Sequence, residues 1–583
     1  MSLVIARLRP ARLSSSLVSS RSFSSSITLR NFDHSYDVVV VGSGCSGLTT
    51  SVVCAKNGLK VLVVEKTRYF GGTTAYSGGG AWIPNNKHQP AIGVSDSAED
   101  AAKYLHSVLG DAFDKTKVPA YIESAPKMVE WVEQNTEMKF KPVPLPDYHP
   151  TKPGASVGRT ILTTEFNGRK LGNRIKQVRY PIQGYSAFGT MQADPAELVY
   201  LTNPFGSVSN LVKSATRALG YVADLVRFGK GAYMCNGNAI VGSLMYTALD
   251  LGVDIWNFTP AVAPILDNGR VTGIEVVHDG VLQRIEARKG VVLASGGFGR
   301  SPEARTVVPH EWCACPSGNT GDGKRIGLES GGALPPKNVD NAIFAPISLH
   351  TPSKGPIRRF PHFAIDRSKP GSIIVGPDGK RFVNESLPYQ EFVKTMHERK
   401  IKKAFYIGDK HYLRKYGMGM ALPWPYPIGS LKRSGYLISA PSIAELAEKI
   451  GVPASTLSDT VATMNKYAET GKDAEFGRGD NVYDQFYGDA STKLPNPNLG
   501  KCESGPFYAL PLYPGNVSVL YGLQTSIDAE VLSKDDTSKP VPGLFAVGLD
   551  QNTVFKGAYP GGGSSIGPGM TFGYRAGLKL SQA

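Results

Sequence analysis

The chain has 583 residues, 41% hydrophobic and 19% charged, enough to bury a sizeable core in roughly two to four domains. Its net charge is +15, from 64 basic and 49 acidic residues, yet it holds no long Lys/Arg block and no nucleic-acid motif, which excludes a DNA- or RNA-binding role. No apolar run reaches the length of about 18 residues that a membrane-spanning helix needs.

Residues 1–34 are rich in Ser and carry Arg7, Arg9, Arg12, Arg21 and Arg30 against Asp33 alone. That is the composition of a mitochondrial targeting peptide, with cleavage expected after Phe23. The plain alternative is a disordered tail. The final tripeptide, Ser581–Gln582–Ala583, is not the usual peroxisomal signal.

Tyr36–Val41 is an apolar run of strand length, followed at once by Gly42–Ser43–Gly44–Cys45–Ser46–Gly47. Leu48–Asn57 reads as a helix stopped by Gly58, and Leu59–Val64 as a second strand ending in Glu65 and Lys66. This βαβ unit carries GxGxxG at its first turn and an acid about 20 residues on, the fingerprint of a dinucleotide site. Gly42, Gly44, Cys45, Ser46 and Gly47 would face the pyrophosphate at the helix N-terminus, and Glu65 would accept from a ribose. Gly72, Thr73, Thr74, Ser77, Gly78 and Gly79 follow in an extended Gly/Thr/Ser loop, where a nicotinamide-binding unit would continue into a helix.

Helix-like patterning covers Ala101–Leu109 and Pro126–Val132. Residues 208–233 read as basic amphipathic helix, with Leu211, Val212, Leu219, Val222 and Val226 at helical spacing beside Lys213, Arg217 and Arg227. That helix is open to two readings, packing on the core or contact with a membrane surface. Gly290–Phe298 is a buried strand entering a glycine turn at Ala294, Ser295 and Gly296. Asp322 opens a short helix over Lys324–Ser330. Ser442–Ile450 and Pro453–Thr470 read as helices, with Ser442 and Ser455 as caps. Pro542–Gly548 is a further strand ending in glycine, and it leads into Ala558–Tyr559–Pro560–Gly561–Gly562–Gly563. A phenol beside bare backbone N–H groups suits a carbonyl that gains negative charge.

The six cysteines, Cys45, Cys54, Cys235, Cys313, Cys315 and Cys502, make no CxxC pair and no zinc spacing; they read as reduced, structural thiols.

The Gly71–Gly80 loop after the βαβ unit resembles the FAD-dependent fumarate reductase and succinate dehydrogenase flavoproteins. It contains no histidine, which implies non-covalent FAD. Three segments resemble the 3-ketosteroid Δ1-dehydrogenase family: Ala558–Gly563, Gly379–Tyr389 and Leu145–Pro150. So do Arg433–Ile438 and Phe476–Asp489.

The resemblance implies an α/β fold: a discontinuous, Rossmann-like FAD-binding domain (35–345 and 518–583) with an inserted α+β substrate domain (346–517). Residues 150–235 would carry an insertion. Ser565 and Ile566 would begin a helix at the flavin. Tyr559 O–H and the Gly563 N–H would hold the C3 carbonyl oxygen. Tyr389 would take the C2 proton, assisted by Tyr148, and hydride would leave C1 for the flavin. Arg381 and Glu385 read as structural ion partners.

The partners implied are an apolar ketone, a steroid in the family, and an electron acceptor such as a quinone or oxygen. The alternatives are 4-dehydrogenation of a 3-oxo-5α-steroid, a fumarate-reductase-like enoate reductase, and a non-catalytic flavin binder.

Overall fold

Val38, Val39 and Val40 are all completely buried, because their strand is covered on both faces, as parallel strands under helices are. A computed structural model describes residues 32–582 apart from 183, 195–196, 198–199, 202 and 338–340. The proposed leader lies almost wholly outside the described residues.

Strand β1 (His34–Val41) sits inside an eight-stranded sheet. On one side it pairs in parallel with β2 (Val61–Val64), which pairs with Asp254–Trp256. On the other it pairs with Val281–Leu293, which pairs in turn with Pro540–Ala546. Helix α1 (Cys45–Lys56) starts three residues after β1 and reaches Lys56 and Asn57 as the motif predicts.

The helix Ile566–Gln582 crosses α1 at very short range. A Cβ on Gly573 would come within 2.6 Å of the Ser46 carbonyl oxygen, and one on Gly577 within 2.6 Å of Val53 Cβ. Glycines at four-residue spacing line one helix face, so the C-terminal helix is pressed against α1.

A second, antiparallel sheet runs Ser372–Val375, Ala404–Asp409, Phe507–Leu512, Ile438–Ala440. Helices Ile443–Ile450 and Ala454–Thr470 bury one of its faces, through Leu446, Ala447, Leu457, Val461 and Met464. Phe392, Val393 and Met396 of the helix Tyr389–Glu398 belong to the core of the other.

Local expectations hold with three changes. Ser442 caps its helix by accepting from the Glu445 N–H, but Pro453, not Ser455, stands at the next cap, and Ser455 is already helical. The helix-like patterning at Pro126–Val132 extends to one long helix, Lys117–Asn135, with Pro126 inside it; burial of Tyr121, Ile122, Met128 and Val129 on both sides of the proline outweighs the lost backbone bond. The helix Val208–Phe228 is not packed along its length: only Tyr221, Asp224 and Phe228 are buried.

Arg381 and Glu385 form the mount beneath the helix Tyr389–Glu398. Arg381 Nε and Nη2 reach the two Glu385 oxygens at 2.8 and 2.7 Å, and its Nη1 and Nη2 reach Asp473 at 2.9 and 2.7 Å. Arg478 Nη1 lies 3.4 Å from Glu385. Burial opposes the Glu385 carboxylate, but Arg381 and then Arg478 outweigh it and hold the group below the usual carboxylate range. Removing one member of such a cluster strands buried charge. Glu385→Ala is expected to lower stability by about 3–5 kcal/mol in denaturant unfolding, and an unfolding midpoint equal to the parent's would contradict this account.

Candidate active site

The expected cofactor segments meet along one edge of the large sheet. Gly42 has φ +112°, and a Cβ there would lie within 2.6 Å of the Ala294 carbonyl carbon. This turn has to be glycine, because backbone touches backbone. Gly47 stacks on the same contact, with Ala294 Cβ and Val40 Cγ1 at 3.1 Å from where its own Cβ would be.

Gly44 stands at the N-cap of α1 with no side-chain cap and no acid in the first turn. The helix terminus therefore keeps its positive potential for an anion. Cys45 N–H donates to Thr74 Oγ1 at 3.0 Å, and Thr73 Oγ1 accepts from Asn319 at 3.0 Å. Ser77 Oγ donates to the Thr74 carbonyl, while Gly79 abuts the Asn236 backbone. A Cβ on Gly72 or Gly78 would meet no protein atom within 4 Å, so both present bare backbone, the cradle that a dinucleotide chain fits.

Glu65 accepts from Ser43 Oγ at 2.7 Å and from Thr67 N and Oγ1 at 3.0 and 2.9 Å. A carboxylate has about four acceptor positions, which leaves room for a ribose hydroxyl. Lys66 and Asp322, both expected here, pair with each other at 2.5 Å. Gly548 and Gly569 close over Ser46, whose Oγ would be 2.7 and 2.5 Å from a Cβ on each.

Sequence reasoning missed Asp550. It is fully buried, and it accepts from the Ser295 N–H, from Ser295 Oγ at 3.0 Å and from the Gly297 N–H at 3.1 Å. Burial pushes its carboxyl up to about 6 against those donors. Its position two residues past Gly548 was the only available signal.

The three tyrosines converge. Tyr148, Tyr389 and Tyr559 are 5%, 7% and 6% exposed, with ring centroids 5.6–5.8 Å apart. Tyr148 O–H donates to the Tyr389 oxygen at 3.1 Å. Tyr389 and Tyr559 are also hydrogen-bonded. Tyr389 is the first residue of its helix, where the dipole favours negative charge. Tyr483, another residue missed in the sequence, lies 5.1 Å from the Tyr148 ring, and its buried hydroxyl has no partner among the described residues.

Burial drives Tyr148 and Tyr389 well above the ordinary phenol range. Burial raises Tyr559 too, but it is opposed by hydrogen bonds with Tyr389 and with Ser565, from its side chain and its N–H. Ser565, expected beside the cofactor, directly precedes the C-terminal helix. Ile566 begins the C-terminal helix.

The glycine run both packs and presents a donor. Gly561 lies against the Trp82 indole and Gly562 against Leu145 and Thr160. Gly563, at φ +89°, touches the backbone of Gly80 and Ala81. Its N–H has no acceptor among the described residues. Tyr148 N–H donates to the Pro560 carbonyl at 3.0 Å, and Tyr104 O–H to the same oxygen at 2.6 Å. Asp147, held by Arg159 Nη1 and Trp82 Nε1 at 2.8 Å each, fixes the residue before Tyr148. Gln390, next to Tyr389, donates to the Gly557 carbonyl at 3.1 Å. Each tyrosine is therefore tied to the others' backbone as well as to their hydroxyls.

Comparison with known proteins agrees with this arrangement. A family model described as an FAD binding domain matches residues 37–566, so the chain is an FAD-dependent flavoprotein with the fold of the fumarate reductase and succinate dehydrogenase group. It is 35% identical over 570 residues to a 3-oxosteroid 1-dehydrogenase of Mycolicibacterium smegmatis, covering 94% of this chain and 97% of the relative. It is 36% identical over 559 residues to a 4-oxocyclohex-2-ene-1-carboxylate 5-dehydrogenase of Sinomonas cyclohexanicum, covering 94% of each. A crystal structure of 3-ketosteroid Δ1-dehydrogenase from Sterolibacterium denitrificans, in complex with 1,4-androstadiene-3,17-dione, matches with a TM-score of 0.85 at 34% identity, over 94% of this chain and all of that one. The chain belongs to the 3-ketosteroid Δ1-dehydrogenase family and is an FAD-dependent dehydrogenase acting on CH–CH bonds.

Proposed function

We propose that this protein introduces a double bond beside a ring ketone of an apolar substrate, a 3-ketosteroid, between carbons 1 and 2. The observation that carries the reading is the unpartnered Gly563 N–H on the Tyr559 loop, with Tyr389 across from it. Two donors aimed at one oxygen stabilise the enolate character that loosens the neighbouring C–H bond.

In this reading the Tyr559 phenol proton points at the carbonyl oxygen, beside the Gly563 N–H. Tyr389 accepts the C2 proton, and Tyr148, already donating to that oxygen, steadies the phenolate as it forms. When bound, FAD supplies the acceptor for the hydride from C1. The walls favour an apolar ring: Leu145, Ile343, Ala345, Ala364 and Leu520 surround the tyrosines, and Phe363 packs 4.9 Å from the Tyr389 ring. These residues offer no cation for the carboxylate of a 4-oxocyclohexene acid.

We also infer that the helix Val208–Phe228 lies on an anionic membrane surface. Val208, Leu219 and Val226 are 80%, 72% and 86% exposed, and Val212, Val222, Phe188 and Phe205 add to the same apolar surface. Lys213 and Arg227 on this helix supply positive charge for anionic head groups. No described helix is long and apolar enough to cross a membrane.

Purified protein with FAD should convert a 4-en-3-one steroid to the 1,4-dien-3-one with a dye acceptor, and outpace its turnover of 4-oxocyclohexanecarboxylate or of fumarate with a reduced donor. The reverse ranking would overturn the steroid reading. Tyr559→Phe should cut kcat by about 10²-fold, and full activity in that variant would remove the carbonyl-binding role. The base works deprotonated, and burial holds Tyr389 and Tyr148 above the phenol value of about 10. Hence kcat/KM should climb as pH rises through the alkaline range, and a plateau already reached at pH 7 would contradict it. Co-sedimentation with vesicles containing phosphatidylglycerol should exceed that with phosphatidylcholine alone, and Leu219→Asp with Val226→Asp should abolish the difference.

A further inference from the structure

Cys313 and Cys315 belong to no part of the site described above. Residues two apart on an extended segment point to the same side, and the two sulfurs lie 3.2 Å apart, both buried. Room for them is made by Gly299, just past the Gly296–Gly297 turn. A Cβ there would come within 2.9 Å of Cys313 Sγ and 3.0 Å of Cys315 Sγ.

Two guanidiniums act on this pair. Arg300 Nη1 donates to the Cys313 carbonyl at 2.9 Å, and the Arg359 Nε is buried without a partner among the described residues. Neither arginine forms an ion pair there with a described carboxylate. Their charge is left to act on the sulfurs. Cys313 is held below the usual thiol range by its hydrogen bond with Cys315, against burial, and then by Arg300 and Arg359. Burial drives Cys315 upward. The two touching sulfurs are thus shifted in opposite directions, Cys313 the more acidic of the pair, and the more acidic thiol of such a pair is the one that attacks. Cys54 and Cys502, by contrast, are lone buried thiols pushed upward by burial.

We propose that Cys313 and Cys315 form a reversible thiol–disulfide site oxidised by hydroperoxides. The Cys313 thiolate attacks the terminal peroxide oxygen, the O–O bond breaks, and the alcohol or water leaves with a proton. The resulting sulfenic acid is attacked by the Cys315 sulfur; the S–O bond breaks, the S–S bond forms, and water leaves. Two thiols and one hydroperoxide give one disulfide, one alcohol and one water. The extended chain sets the Cα atoms about 6.6 Å apart, near the upper end of the 4.4–6.8 Å that a disulfide usually spans. The bond can close, but under strain, and strained disulfides are readily reduced again.

The test is independent of turnover and of the steroid reading. The full chain with FAD bound is treated with hydrogen peroxide, denatured in N-ethylmaleimide and digested with trypsin. Both cysteines fall in the peptide Thr306–Lys324. That peptide should lose both alkylation sites, become lighter by two hydrogens, and recover both sites after dithiothreitol, while the Cys54 and Cys502 peptides stay alkylated. In Cys315→Ser the same treatment should leave Cys313 as a sulfenic acid that dimedone captures. Should that variant fail to fold, the parent's peptide decides alone. Retention of both thiols, or oxidation no faster than at Cys54 and Cys502, would overturn the proposal.

Discussion

A side chain at residue 563 would drive its first carbon into the backbone of Gly80 and Ala81. This contact joins the substrate loop to the loop that follows the dinucleotide fingerprint. The same backbone is held from the other side: the Pro560 carbonyl accepts from Tyr104 and from the Tyr148 N–H. The position of the Tyr559 loop is therefore set largely by main chain. Preorganised donors of this kind need no rearrangement as charge develops.

The tyrosine cluster presents a conflict that the chemistry has to use. Burial keeps the phenols neutral, and a neutral phenol is a weak base. In the reaction proposed above, three features would lean the other way: the donated bond from Tyr148, the helix N-terminus at Tyr389, and the transfer of negative charge to a carbonyl oxygen held by two donors. None of these is large alone; a helix terminus contributes about 0.3–1 kcal/mol at exposed sites. Together they would favour moving the proton only while the carbonyl is held.

Much of this was legible in the sequence, for identifiable reasons. The βαβ fingerprint is local, so its strands, helix and terminal acid could be placed from spacing alone. Tyr148, Tyr389 and Tyr559 stood in distinctive segments, and the structure brings all three together. The misses are tertiary. Asp550 and Tyr483 gain their surroundings from residues far away in the chain, and only the nearby Gly548 marks the first of them. The helix Val208–Phe228 showed apolar spacing that equally suits a buried face; only the absence of a packed neighbour along most of it separates the readings.

The C-terminal helix closes over α1, and the sheet strand at residues 540–546 lies beside one at 281–293. Segments 523 residues apart in sequence thus touch, at Thr50 and Gly573. During synthesis, Val38–Val41 and the first helix emerge long before the helix Ile566–Gln582 that packs on α1. The nucleotide-binding half cannot mature as an independent unit ahead of the rest. Long-range pairing of this kind slows folding and leaves apolar surface uncovered meanwhile, here until the seventeen-residue helix Ile566–Gln582 packs on α1.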